Sequence, residues 1–146
     1  MVPDDLTETY RRYLASVVRF HLAAAEAGGL GPTDYQASSL LDLDGPMAVQ
    51  DLAEELGLSP SATTRVVDRL VQAGIASRTT DSQDRRRTLI AHTGHLPAEL
   101  HQVLGGVRGA IGAAVATLDA KQVEGLATYF SVATRAYRDA APARRA

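Results

Sequence analysis

The fold is decided by the stretch from Leu52 to Leu96, which reads LAEELGLSPSATTRVVDRLVQAGIASRTTDSQDRRRTLIAHTGHL. Gly57 predicts the end of a short helix, because a left-handed residue is commonly needed just past a helix. Ser59 and Pro60 predict the start of the next helix, since serine caps free amide groups and proline is pre-shaped for the first helical position. Gly74 closes that helix, and the strand-like runs IASRT and RTLIAH then flank TDSQDR, whose residues favour turns. The stretch therefore predicts helix, tight turn, helix and β-hairpin.

Long amphipathic helices are predicted on both sides of this stretch, from apolar residues that recur every three to four positions. The predicted helices are Asp4 to Ala27, Thr33 to Leu43, Val49 to Leu56, Pro60 to about Ala73, one from after Gly94 to Leu118, and one capped by Asp119 and running through Tyr137. The fold class is therefore mainly α with a small β-hairpin wing, a winged helix-turn-helix whose N- and C-terminal helices form a dimerisation region.

The apolar stripes on the first and last helices are wider than three short central helices could cover. A partner chain would cover them, with the terminal helices of two subunits interleaving in a two-fold homodimer. We therefore expect residues 1–31 and 94–138 to form the dimerisation region and residues 32–93 to form the winged helix-turn-helix. Residues 139–146 are expected to be a disordered tail.

Composition excludes several classes of protein. The 146 residues include no cysteine, which rules out disulfide scaffolds, thiolate metal sites and a cysteine nucleophile. No apolar run approaches the roughly 20 residues of a membrane span, and MVPDDLTETYRR is acidic where a signal peptide would be basic, so we expect a cytoplasmic protein without membrane contact. Walker, dinucleotide-binding, H-x-E and G-x-S-x-G motifs do not occur. We therefore expect neither an enzyme nor a cofactor.

Charge is segregated along the chain although the net charge is only -2. Residues 32–58 carry six acidic side chains and no basic one, whereas residues 59–92 carry six arginines against Asp68, Asp81 and Asp84. Arginine's planar fork suits bidentate contacts to phosphate or guanine. The basic segment coincides with the second helix and the hairpin.

The exposed face of the second helix favours a nucleic-acid partner. Ser61, Thr64 and Arg65 lie in its first two turns and can donate to phosphates or base edges, and packing does not explain them. A plain helical hairpin would give the same hydrophobic pattern. A winged-helix module for protein interaction or dimerisation, without specific DNA binding, therefore stays as the alternative, and the acidic segment supports it slightly.

The stretch from Leu52 to Leu96 resembles the MarR (multiple antibiotic resistance regulator) family of winged-helix transcription factors. The resemblance lies in LAEELGLSPSATTRVVDRL across the two helices, AGI before the hairpin, DRRR in the wing and the TG step after it. It implies a homodimer that binds a pseudo-palindromic operator in double-stranded DNA, with one recognition helix per half-site. Such regulators are more often repressors, released by a small ligand.

The resemblance also implies roles for individual wing residues. Arg86 would enter the minor groove, Asp68 would pair with Arg86 and hold it, and Asp84 would order the wing tip through backbone amides. Arg85 and Arg87 would contact phosphates or be solvated. The DNA-contacting residues predicted in total are Ser59, Ser61, Thr63, Thr64, Arg65, Arg69, Arg85, Arg86 and Arg87.

Members of the family commonly bind aromatic acids or phenols between the long helices and the winged domain. Arg19, His21 and Tyr35 are the candidate ligand-binding residues here, and nothing in the sequence identifies the effector. His92, His95 and His101 with Glu99 are spaced too poorly to predict a metal site. The glycines from Gly105 to Gly112 allow either close approach of another helix or a bend.

Overall fold

The computed structural model describes residues 4–144. Six helices and one hairpin follow one another along this part of the chain. They are α1 (Asp4–Ala27), α2 (Pro32–Asp44), α3 (Val49–Leu56), α4 (Pro60–Gln72), β1 (Ala76–Thr80), β2 (Thr88–His92), α5 (Ala98–Val115) and α6 (Ala120–Ala140). The predicted fold class, mainly α with a hairpin wing, is confirmed.

The winged helix-turn-helix packs around a core of its own. Apolar side chains from α2, α3, α4 and the hairpin meet there, each almost completely removed from solvent. Its members are Ala37, Leu41, Leu52, Leu56, Val66, Val67, Leu70, Ile75, Ala76 and Ile90. Because apolar burial is the main force that holds such elements together, this core fixes the arrangement of α2, α3, α4 and the hairpin.

The turn between α3 and α4 forms as its sequence predicts. Gly57 has φ 66° and its amide donates to carbonyls of the last turn of α3, so the left-handed residue ends the helix. The Ser59 hydroxyl accepts the Ala62 amide at 3.2 Å and caps α4. Both local signals are confirmed, and together they fix where the second helix starts.

A third strand segment completes the wing and was not predicted. Met47 and Ile90 exchange backbone hydrogen bonds of 3.0 and 2.8 Å as an isolated antiparallel bridge. The hairpin itself pairs in the register Arg78 to Ile90. Ile90 therefore has a neighbour on both sides: its backbone bonds to Met47 and it faces Arg78 across the hairpin, so β2 is fastened to the segment that leads into α3.

The terminal helices differ from their expected description at the C-terminal end. Helix α6 continues to Ala140, three residues beyond the predicted end. The Arg144 amide then donates to the Gly57 carbonyl at 3.0 Å, and its guanidinium donates to the Thr33 hydroxyl at 2.9 Å. The disordered tail expected for 139–146 is therefore wrong for 139–144, and the remaining two residues lie outside the described part of the chain.

Helix α5 is continuous through its glycines. Gly105, Gly106, Gly109 and Gly112 all lie inside the single helix Ala98–Val115. Within residues 4–144, no atom lies within 4 Å of the position that a Cβ would take at any of the four. The glycines therefore do not interrupt the helix, and within one chain nothing approaches them closely.

Candidate nucleic-acid interface

Helix α4 presents a polar face to solvent because its other face is committed to the core. Val66, Val67 and Leu70 are buried. Ser61, Thr64 and Arg65 are exposed and lie within the first two turns of the helix. The Thr64 hydroxyl donates to the Pro60 carbonyl at 3.0 Å, which leaves its oxygen facing outward as an acceptor. These three residues stand where a groove-reading helix needs its donors and acceptors.

Two of the predicted DNA contacts on α4 are engaged within the chain itself. The Thr63 side chain is fully buried, and its hydroxyl donates to the Ser59 carbonyl at 2.9 Å. The Arg69 guanidinium binds both carboxylate oxygens of Asp34 in α2, at 2.7 Å each. A buried hydroxyl cannot reach a groove, and the Arg69 guanidinium, whose side chain is 54% exposed, already uses two of its N–H donors on Asp34. Ser59 is exposed, with its hydroxyl engaged in the helix cap.

The wing tip is organised by its own backbone. The Asp84 carboxylate accepts the Arg86 amide at 3.0 Å, as the family resemblance implies, and the Asp84 carbonyl accepts the Arg87 amide at 2.9 Å. The Asp81 carboxylate accepts the Gln83 amide at 2.8 Å. These short-range bonds shape the tip without using an arginine side chain.

Asp68 supports the wing, but not through the predicted partner. Its carboxylate pairs with Arg78 on β1 and not with Arg86. Arg78 precedes the turn, on the strand that lies nearest to α4 in sequence, and so meets Asp68 without the tip having to fold back. The expected pairing of Asp68 with Arg86 is corrected, and the ion pair links α4 to the base of the wing.

The three consecutive arginines are not equivalent. Arg87 lies in the turn rather than on β2, and its guanidinium pairs with Asp51 of α3 at 2.7 Å. Arg85 and Arg86 are exposed and make no side-chain hydrogen bond or ion pair with residues 4–144. The same holds for Arg65 on α4. Three guanidinium groups on the recognition helix and the wing tip thus have no partner in the described chain.

A separate cleft lies between α1 and α2. His21 Nδ1 and the Tyr35 hydroxyl are 2.7 Å apart at its wall, so the structure brings these two candidate ligand-binding residues together. The cleft has a volume of about 390 Å³ and is lined by Val17, Val18, His21, Leu22, Pro32, Tyr35, Gln36 and Ser39. Arg19 does not line it and lies instead along an open groove on α1. Burial raises the pKa of Tyr35 above its usual value, and the positive charge of Arg108 partly opposes this.

The His92 side chain, at the end of β2, is held in ordinary structural hydrogen bonds. His92 Nδ1 accepts the Gly94 amide at 2.9 Å, so its other ring nitrogen carries the proton that faces the Ser38 hydroxyl at 3.2 Å. Among residues 4–144, no group of three or more histidine, aspartate or glutamate side chains is arranged to hold a metal ion. The sequence prediction placed no metal here.

Sequence reasoning missed three residues that fix the interface. Asp34, Asp51 and Arg78 each form an ion pair with an arginine or aspartate of α4 or the wing. Asp34 pairs with a residue 35 positions away and Asp51 with one 36 positions away. Locally these carboxylates are acidic residues in the first turn of a helix, which is a common helix-start feature, so no sequence signal marks their partners.

The fold and this surface define a winged-helix regulator of the helix-turn-helix type. Residues 35–88 match the family model described as "MarR family". Over 83 residues the chain is 42% identical to the uncharacterized HTH-type transcriptional regulator YcgE of Bacillus subtilis (strain 168), covering 57% of this chain and 54% of that protein. It is 31% identical over 85 residues to the HTH-type transcriptional repressor MdtR of the same organism, covering 58% and 55%. The chain thus spans about half the length of these curated relatives.

Solved structures are similar over nearly the whole chain. RV1404 from Mycobacterium tuberculosis is 27% identical with a TM-score of 0.66, and 93% of this chain and 95% of that chain are covered. CouR from Rhodococcus jostii RHA1, solved bound to p-coumaroyl-CoA, is 25% identical with a TM-score of 0.59, covering 87% and 90%. The winged region of this chain is therefore similar to transcriptional regulators of the MarR family. Its relatives are regulators and not enzymes. No helix within residues 4–144 is long and apolar enough to cross a membrane.

Proposed function

We propose that this chain is a homodimeric, sequence-specific DNA-binding repressor that a small aromatic or phenolic ligand releases from its operator. The operator is pseudo-palindromic double-stranded DNA, with one α4 in the major groove of each half-site. Such a protein acts in the cytoplasm, where its DNA target lies. Ser61, Thr64 and Arg65 face base edges and phosphates, and Arg85 and Arg86 face the groove beside them.

The observation that carries the proposal is the set of uncommitted arginines. Arg65, Arg85 and Arg86 have no side-chain partner in residues 4–144, while Arg69, Arg78 and Arg87 of the same surface are paired. Unpaired guanidinium groups on an exposed helix and hairpin suit phosphate and minor-groove contacts. The Asp68–Arg78 and Arg87–Asp51 pairs hold the wing against the helix-turn-helix, so both reading elements keep a fixed relation.

The dimer is supported by apolar surface on the terminal helices. Large hydrophobic side chains of α1, α5 and α6 are one-third to more than one-half exposed in the single chain. They are Leu6, Tyr13, Val18, Leu22, Val103, Ile111, Val123, Tyr129, Phe130, Val132 and Tyr137. Contiguous exposed apolar surface of this extent marks an interaction site. A second copy of this chain would cover this surface, because a pseudo-palindromic operator has two half-sites and needs one subunit for each.

The effector is supported by the cleft between α1 and α2. Its volume suits a small molecule, and its walls combine Val17, Val18 and Leu22 with the hydrogen-bonded pair of His21 and Tyr35. A phenol or carboxylate could exchange hydrogen bonds with that pair. The related CouR binds p-coumaroyl-CoA, which contains a phenolic ring. Arg19 is not part of this proposal, since it lies outside the cleft.

Removing the side chain of Arg86 tests the proposed role of the wing tip in DNA binding. We expect Arg86→Ala to weaken affinity for an operator selected from the source genome by about 1 to 3 kcal/mol, measured by fluorescence anisotropy at fixed salt. Arg12→Ala is the matched control, because it removes the same charge from α1, where Arg12 pairs with Glu8 of the same helix, and it should lose less. Equal losses, or none at Arg86, would remove the assigned role of the wing tip.

The salt dependence of binding separates the proposal from a protein-interaction module. A protein that neutralises phosphates loses affinity for duplex DNA steeply as salt rises, and loses more when the operator sequence is changed. We expect both behaviours for the wild-type protein. Absence of measurable affinity for any duplex at low salt would favour the protein-interaction alternative. Release of the operator by 4-hydroxybenzoate or related aromatic acids tests the effector separately.

A further inference from the structure

The buried ion pair between α2 and α4 joins two parts of the molecule that the proposed function uses separately. Asp34 is the one charged residue that is buried among residues 4–144, with its side chain 8% exposed. Both of its oxygens accept hydrogen bonds from Arg69, one from Nε and one from Nη2, at 2.7 Å each. Such side-on pairing is strongly directional. The pair therefore fixes a distance and an angle between the two helices.

The remaining contact between α2 and α4 is apolar. Ala37 and Leu41 pack in the same cluster as Val66, Val67 and Leu70. Apolar contacts of this kind hold helices together but depend little on direction. In the described chain the Asp34–Arg69 pair is the only side-chain hydrogen bond between the two helices. Arg69 lies one turn after Arg65, so the pair constrains the same face of α4 that presents Arg65.

The residue next to Asp34 belongs to the cleft. Tyr35 follows Asp34 on the first turn of α2, and its hydroxyl meets His21 of α1. Its ring also packs against the cluster formed by Ala24, Leu100 and Leu104 of α1 and α5. One helical turn thus contacts the terminal helices through Tyr35 and the recognition helix through Asp34. A movement of Tyr35 is transmitted to Asp34 by a single peptide unit.

We propose that Asp34 is a positioning residue that couples the cleft to the recognition helix by holding Arg69. Occupancy of the cleft breaks or shifts the contact between His21 and Tyr35, moves the first turn of α2, and changes the rotation of α4. The inference rests on the proposed function of α4 as the DNA-reading element, but the coupling itself exists in the free protein and is measured there.

The test is a double-mutant cycle read by amide hydrogen exchange in the absence of DNA. Tyr35→Phe removes the hydroxyl that meets His21 and keeps the ring, and exchange is followed in peptides that cover residues 61–72. The second background is the neutral double substitution Asp34→Asn with Arg69→Gln, which avoids leaving a buried charge unpaired. Comparing the two backgrounds isolates the coupling between the cleft and α4.

We expect Tyr35→Phe to change exchange of the α4 amides by about fivefold in the otherwise wild-type chain and by much less in the neutral background. The matched control background is Asp68→Asn with Arg78→Gln, which neutralises the other ion pair of α4, and there the full effect of Tyr35→Phe should persist. A purely structural role of Asp34 would change exchange equally with and without the Tyr35 hydroxyl. That result, or no effect of Tyr35→Phe in the wild-type chain, overturns the proposal.

Measuring the operator affinity of the same proteins distinguishes failure of the proposed DNA-binding function from failure of the proposed coupling through Asp34. The neutral pair at positions 34 and 69 should weaken operator binding by about tenfold. If none of the proteins binds DNA while the exchange cycle still shows coupling, the proposed function fails and the coupling stands. If all bind DNA and the cycle shows no coupling, the proposed function stands and the coupling fails.

Discussion

The winged helix-turn-helix and the terminal helices obtain their stability in different ways. The first region buries Leu41, Leu52, Leu70, Ile75 and Ile90 almost completely within one chain. Helix α6 buries none of its residues, and only Ala24 and Ala25 of the long helix α1 are buried. The winged region is thus specified by its own core, whereas the terminal helices leave apolar faces exposed, which the proposed homodimer would cover.

Ion pairs occur in both the winged region and the terminal helices. In the winged region, ion pairs connect separate elements, as Arg69 does with Asp34 and Arg78 with Asp68. On α1 the ion pair of Glu8 and Arg12 stays within one helix, where an exposed pair contributes only a few tenths of a kcal/mol. Polar contacts also connect the terminal helices to other elements: Arg138 of α6 pairs with Glu55 of α3 at 2.9 Å, and the Tyr10 and Tyr137 hydroxyls meet between α1 and α6.

The largest expected effect is the loss of the proposed dimer when the apolar surface of the terminal helices is disrupted. Phe130→Asp should dissociate the dimer, raising its dissociation constant by about a thousandfold, because each of two copies loses about 2 kcal/mol of apolar burial. Sedimentation velocity over a concentration series measures this. Leu43→Asp is the control, since Leu43 is 79% exposed but lies on α2, outside the terminal helices. A dimer that survives Phe130→Asp would show that this face of α6 is not covered.

A core substitution in the winged region should act on folding instead. Leu70 is fully buried, so Leu70→Ala should lower the free energy of unfolding by about 3 kcal/mol through lost burial and a residual cavity. Urea denaturation followed by circular dichroism measures the loss. Leu43→Ala should change the same quantity by less than about 0.5 kcal/mol, as surface substitutions usually do. A small loss at Leu70 would mean that the winged core is less tightly packed than the structure indicates.

Substituting a glycine of α5 tests whether this face of the terminal helices is covered by a partner. Gly106→Ala should raise the free energy of unfolding by about 1 kcal/mol, since no atom of the described chain lies within 4 Å of the added Cβ and alanine favours helix. Gly94→Ala is the opposite control, because Gly94 has φ 82° and alanine is strained there. If Gly106→Ala instead weakens the dimer in sedimentation, a helix of the partner lies against this face.

The smallest effect concerns the pKa of Tyr35, which burial raises above its usual value of 10.0. The folded chain then holds the phenolic proton more tightly than the unfolded chain. The stabilisation is complete below about pH 10 and is lost as pH rises through the folded pKa. Unfolding free energies of wild type and Tyr35→Phe should therefore converge above pH 10, and ultraviolet absorbance should show one phenolate step fewer at high pH in the variant. A Tyr35 step at or below pH 10 would contradict this.

Much of the fold follows from local signals in the sequence. Ser59, Gly57 and Asp119 mark helix boundaries through their own backbone and side-chain chemistry, and the structure confirms each. The Asp84 contact with the wing backbone was implied by the family resemblance and is confirmed as well. Signals of this kind act within four residues, so the chain order alone contains them.

The remainder depends on contacts between distant residues. Arg69 looks like a free basic residue on the polar face of α4 until α2 brings Asp34 against it. The polar side chain of Thr63 suggests an exposed position, but Thr63 lies on the face of α4 that packs against the core and is fully buried. Asp68 meets Arg78 because the hairpin rises beside α4, and the sequence leaves the choice among the nearby arginines open. The pairing partner of a charged side chain is set by tertiary packing rather than by local pattern.

The wing tip holds its shape through the backbone bonds around Asp81 and Asp84, without help from any side chain at positions 85 and 86. The backbone of the loop therefore keeps its conformation when the side chains at positions 85 and 86 are replaced by others. A library randomised at Arg85 and Arg86 alone would sample DNA preference while leaving the scaffold intact. By the same reasoning, the specificity of such a wing can diverge after gene duplication by single substitutions that cost little stability.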